Sequence, residues 1–169
     1  RPAHADNNHL DIWHNGVNYL RDVGTFKYNT DNETVLNFAG TRGHNTVMVN
    51  EKEQMLKGSR FIWNNWVTNA EARISTFDAY IEIRSCFEGF KELGHGIKHI
   101  RTVSKKREEL IWEIDDEFEN TENFSKEIFW HINPNFEKNI QILVFNNEGE
   151  LLSLNKKESK YSSYYGVSE

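Results

Sequence analysis

Apolar and polar residues alternate along most of this chain, and turn residues interrupt the alternation at short intervals. Candidate strands fall at 9–14, 17–23, 45–50, 61–66, 72–74, 79–87, 98–103, 110–114, 127–132, 140–145 and 151–154. Asn15-Gly16 separates the first two and marks a hairpin, because both central residues of such a turn take positive φ. Glu148-Gly149 marks a second hairpin between 140–145 and 151–154. The segment "REELIWEIDDEFEN" carries apolar residues at helical spacing but also alternates Leu110, Trp112 and Ile114, and its neighbours favour a strand. About ten strands without a βαβ rhythm predict an all-β fold, an antiparallel jelly-roll-like sandwich of stacked sheets. With no internal repeat and no linker, residues 1–169 read as one domain.

Composition narrows the function. A length of 169 residues supports a real core, and 37% hydrophobic with 27% charged residues is ordinary for a globular domain. The net charge of -6 argues against a nucleic-acid binder, and an acidic substrate would need a local basic patch. No apolar run approaches the roughly 18 residues of a membrane span. The chain starts at Arg1 without a methionine or a signal peptide, which suggests a piece of a longer protein. The single Cys86 excludes an internal disulfide framework and sits in a strand interior, as a buried inert thiol would.

The first 25 residues, "RPAHADNNHLDIWHNGVNYLRDVGT", hold His4, His9 and His14 with Asp6, Asp11 and Asp22. Imidazole and carboxylate groups are the usual ligands of zinc and non-haem iron. His4, Asp22 and His44 lie near strand ends, where loops can bring them together. A two-residue turn pairs His14 with Val17 and, continued, sets His9 opposite Asp22; His4 then joins only if its loop curls back. A solvated polar face accounts for the same residues. So does His4-Ala5-Asp6 with a distal histidine, the minimal two-histidine, one-carboxylate triad of non-haem iron oxygenases. His14 reads as turn decoration, His95 and His99 in "GHGIKH" as loop residues, and His131 as a partly buried, hydrogen-bonded strand residue. Trp63 and Trp66 in "WNNW" read as packing residues. No nucleophile elbow or phosphate-cradling loop is present.

Taken together, "RPAHADNNHLDIW", "NYLRDVGTFKYN" and "GHNTVMVN" followed by "EKEQ" resemble the C-terminal β-sandwich of the heparinase II/III-like polysaccharide lyases. "IKHIRTV", "LIWEIDDEFE" and "YSSYYGV" resemble its later strands, so the likeness covers most of the chain. The resemblance implies a parent protein with an N-terminal α/α-toroid that this sequence lacks. It also implies cleavage of acidic, uronic-acid-containing polysaccharides by β-elimination, with base and acid supplied largely by the toroid, so that the fragment alone is inactive. It implies a structural zinc ion on His4, Asp22 and His44, which places His4 ahead of His9. His9 and Asp6 then become supporting residues around the ligands. Arg42, Arg1 and Tyr28 become candidate substrate contacts, since arginine pairs with carboxylates and tyrosine can stack on sugar. A periplasmic or extracellular parent fits this reading. One position departs from the pattern: Pro2 stands where a histidine would be expected, which favours as an alternative a carbohydrate-binding module without catalysis.

Overall fold

The computed structural model describes residues 1–27, 29–59 and 62–163. Its strands are antiparallel throughout, and the chain is a β-sandwich with little helix. Strands β1 (Ile12–His14) and β2 (Val17–Leu20) form the opening hairpin. Helix α1 (Asn32–Ala39) and a 3₁₀ turn at Thr41–Gly43 lead to β3 (Val47–Val49). Short strands β4 (Leu56–Lys57) and β5 (Trp63–Asn64) pair with each other. Four longer strands follow, β6 (Thr68–Thr76), β7 (Tyr80–Glu88), β8 (Lys98–Lys106) and β9 (Trp112–Glu119), paired in sequence order as one meander. Strand β10 (Lys126–Ile128) returns to pair with β3.

The meander puts alternate residues on opposite faces. One face is charged: Arg84 and Glu117 lie 2.7 Å apart on it, and Lys98 and Glu119 3.0 Å. The other face divides along its length. Phe87, His99, Arg101, Asp116 and Phe118 pack beneath the first residues of the chain and the β3 layer. Ile74, Ile81 and Ile83 remain exposed farther out. Val47, Val49, Phe87, Phe90 and Ile97 form the main core cluster. Ala5, Met55 and Trp63 form a second, against Leu36 and Ala39 of α1.

Several sequence expectations are corrected. Helix α1 was not anticipated. Asp31 caps it, its carboxylate accepting from Thr34 N at 2.8 Å, and Phe38 anchors it in the interior. The hairpin pairs His14 with Val17 as expected, but a bulge between Ile12 and Trp13 shifts the register, so Ile12 meets Leu20. The ladder stops there and never sets His9 opposite Asp22. The ambiguous "REELIWEIDDEFEN" segment is strand β9 at its centre. Residues 140–154 contribute a single bridge, Phe145 to Leu151, around the Asn146–Gly149 turn instead of two full strands. His99 is a fully buried β8 residue and not a loop residue, whereas His95 is in the loop and exposed. His14 and Cys86 are each half-buried, so Cys86 is not the fully buried thiol expected. No helix among the described residues is long and apolar enough to cross a membrane.

Candidate metal centre and its buried frame

His4, Asp22 and His44 come together at one end of the sandwich, with one donor atom from each lying within 4.8 Å of the others. Each arrives from a different segment. His4 sits in the leading loop, held by Ala5 N donating to Ala39 O at 2.8 Å. Asp22 follows β2, and His44 follows the 3₁₀ turn. The rings of His4 and His44 lie 5.2 Å apart, centre to centre.

Hydrogen bonds assign the protons. Asp22 Oδ1 accepts from Gly24 N at 2.5 Å, and Oδ2 accepts from His44 Nδ1 at 2.7 Å. With its Nδ1 proton directed to Asp22, neutral His44 carries its lone pair on Nε2. That atom is buried and has no hydrogen-bond partner among the described residues. A buried, unpartnered imidazole nitrogen is costly to leave in the interior. Two imidazoles and a carboxylate that converge in this way fit a divalent cation of the zinc type.

Electrostatics point the same way. Burial, reinforced by the neighbouring His44, lowers the pKa of His4, which keeps it neutral as a ligand must be. Burial pushes the Asp22 carboxyl up, but the hydrogen bonds from His44 and the Gly24 N–H outweigh it, so Asp22 stays ionised. Burial also lowers His131, against the hydrogen bond it makes to Arg42 O at 2.8 Å.

The residues after His44 explain its placement. Asn45 Nδ2 donates to Leu10 O at 2.9 Å and to Arg21 O at 3.3 Å, while its Oδ1 accepts from His131 N at 2.5 Å. One side chain therefore laces three segments together. Thr46 Oγ1 donates to Asn7 O at 2.7 Å, and Gln54 bonds Asn7 through both ends of its amide. Thr41, His44, Asn45, Thr46 and Gln54 are all fully buried.

A second buried cluster, not foreseen from the sequence, supports the first. Arg101 holds Asp116 through Nε at 2.7 Å and Nη2 at 3.0 Å. Its Nη1 donates to Asn8 O at 2.8 Å and Asn45 O at 2.6 Å. His99 Nε2 donates to Asp116 at 2.7 Å, and its Nδ1 faces Asn8 Nδ2 at 3.2 Å. This cluster fixes the loop after His4 and the backbone after His44 on the floor of the meander. Its sequence signal was the alternation His99–Arg101 in "IKHIRTV".

The remaining predicted site residues are placed as follows. His9 lies beside His44, ring centres 5.4 Å apart. Its Nδ1 accepts from Asn45 N at 2.9 Å and its Nε2 donates to Asp11 at 2.9 Å, so it buttresses Asn45 and does not orient Asp22. Asp6 is exposed and is not one of the three clustered ligands. Arg42 is exposed next to the centre, and Arg1 is exposed beside the second core cluster. Arg21 lies over the Tyr161 ring at 3.5 Å, a structural stack. Tyr28 lies outside the described residues.

Comparison with family models gives a match over residues 1–165 to the heparinase II/III-like, C-terminal family. The chain belongs to this family. No curated protein and no solved structure matches it. As a heparinase II/III-like C-terminal domain, the chain carries its candidate metal centre on the His-Ala-Asp, Arg-Asp-x-Gly-Thr and His-Asn-Thr stretches from which the resemblance was read.

Proposed function

We propose that residues 1–169 form the single β-sandwich domain of a polysaccharide lyase that cleaves uronic-acid-containing glycans by β-elimination. The observation that carries the metal part of this reading is the convergence of His4, Asp22 and the fully buried His44, one donor atom of each within 4.8 Å of the others. His4, Asp22 and His44 would hold a zinc ion, which would supply a cross-link between the leading loop, the end of the first hairpin and the segment before β3. The role is structural.

β-Elimination removes the proton on the carbon bearing the uronate carboxyl group and expels the glycosidic oxygen from the next carbon. It requires neutralisation of the carboxylate, a general base and a general acid. Arg42, exposed beside the centre, and Arg1 offer guanidinium groups to the carboxylate. The base and acid are assigned to the parent's toroid. Incubation with uronate polysaccharides tests the division: the unsaturated-sugar absorbance should rise with the toroid-bearing parent and not with this chain. Robust turnover by the chain alone would overturn the assignment.

Pro2 favours a second reading, a carbohydrate-binding module that keeps the fold without chemistry. Glycan affinity without turnover in the parent would select it.

A further inference from the structure

An open recess of about 460 Å³ lies at the corner where β5 turns into β6. Arg1, Asn64, Asn65, Trp66, Thr68 and Lys91 line it, and Trp63 forms part of its wall. In a chain of net charge -6, the lining contains two cations and no acid. The nearby Glu92 is turned to Lys52, at 3.7 Å, and Glu88 to Asn69 and Gly96.

Each lining group has a defined offer. Trp66 is 47% exposed, and its indole N–H donates to Trp63 O at 2.5 Å, so what it presents is ring surface. Lys91 Nζ donates to the Trp66 backbone carbonyl at 2.6 Å, which fixes the ammonium at that residue. It makes no ion pair among the described residues and has two further N–H donors. Arg1 likewise has no carboxylate partner among them. Asn64, Asn65 and Thr68 are exposed and supply amide and hydroxyl groups. Trp63 Nε1 donates to Ala3 O at 3.0 Å, tying the wall to the residue before His4.

We infer that this recess is a subsite for a carboxylated sugar unit, with Trp66 beneath the ring and Lys91 with Arg1 on the carboxylate. A pyranose uronate has a C–H face for an aromatic ring, hydroxyls for amides and one charge for a cation, and the recess holds those three offers together. A neutral sugar would leave the two cations without a purpose. The inference rests on the uronate-glycan reading above and adds a defined place on the sandwich where the chain grips the polymer.

Affinity electrophoresis of the full chain through gels containing polygalacturonate, alginate, heparin or neutral dextran tests it. At least one uronate polymer should retard the chain and dextran should not. Trp66→Ala and Lys91→Gln should each weaken that retardation by about tenfold, the scale of one stacked ring or one charge-assisted hydrogen bond. Lys156→Gln, which removes a surface partner of Glu137, should change nothing. Near-ultraviolet circular dichroism confirms that each variant is folded. Undiminished retardation of both recess variants overturns the subsite while leaving the lyase reading intact, as does equal retardation by dextran. Retardation by none of the three uronate polymers also overturns it. Failure of the lyase reading is seen separately, as absence of turnover by the parent.

Discussion

Histidine tautomers do much of the work in this domain, and three different chemistries fix them. His44 gives its Nδ1 proton to Asp22 and turns a bare Nε2 inward. His9 takes a backbone proton on Nδ1 and gives its Nε2 proton to Asp11. His99 is buried against Asp116, and burial lowers its pKa despite the opposing pull of that carboxylate. The groups that face His99 are Asp116 from β9 and Arg101 from β8, with Phe87, Phe118 and Asn8 around them. A lowered histidine binds fewer protons folded than unfolded, so stability is present above the ordinary value of 6.5 and is lost as pH falls below it. His99→Gln should therefore flatten the pH dependence of urea unfolding between about pH 7.5 and about pH 5. The lowered His4 and His131 leave part of the slope in place. An unchanged slope would show that His99 does not titrate in this range. None of this was readable from "GHGIKH", because most of the partners that bury His99 lie on β7, β9 and the leading loop. His4, Asp22 and His44 were readable, through the joint appearance of three short motifs; hairpin arithmetic alone nominated His9.

At the level of elements, period-two alternation located the meander well and its ends poorly. Strand β6 extends over Thr68–Thr76, whereas the alternation was clear only at 72–74. Polar residues such as Asn69 and Glu71 belong to the strand because their side chains stand on its solvated face. Helix α1 escaped notice because eight residues give barely two turns of period, and its capping aspartate was the clearest local cue. The bulge in the first hairpin escaped for a related reason: one extra residue leaves the alternation intact on either side. The link after β2 depends on a backbone that only glycine takes without strain. Gly24 has φ +85°, and a Cβ there would lie 2.1 Å from Ser162 O. Gly24→Ala should cost about 2 kcal/mol or more, from left-handed strain plus overlap, measured by urea unfolding. It should also weaken metal binding, because Gly24 N–H holds Asp22. Native stability in this variant would mean that the close approach to Ser162 relaxes freely.

Across the whole molecule, two dissimilar interiors are joined. One is the apolar cluster around Phe87 and Phe90; the other is a polar layer running from Gln54 through Thr46, Asn45 and His44 to Arg101 and Asp116. The alternation pointed to the first. The second is built from residue types that usually mark surfaces, and their partners are long-range, so the sequence pattern carried little sign of it. A metal ion on His4, Asp22 and His44 would stabilise the folded chain by mass action, about 2.7 kcal/mol at a hundredfold excess over Kd. Chelation should then lower the thermal midpoint of the native chain, zinc should restore it, and His44→Ala should respond to neither. Indifference of the native chain to chelator and zinc would remove the structural role proposed for the ion.

The reach of Arg101 also sets an order of events. Its guanidinium bonds Asn8 across 93 residues of sequence and Asn45 across 56. All three candidate ligands therefore leave the ribosome well before the side chain that clamps their loops. Closing contacts over such spans is slow compared with forming a local hairpin. A zinc ion held by His4, Asp22 and His44 would meet the nascent chain with its histidines already exposed and would exchange freely until β8 and β9 pair and Arg101 is buried. Retention of such an ion would thus be a late step in the maturation of this domain, controlled from its second half.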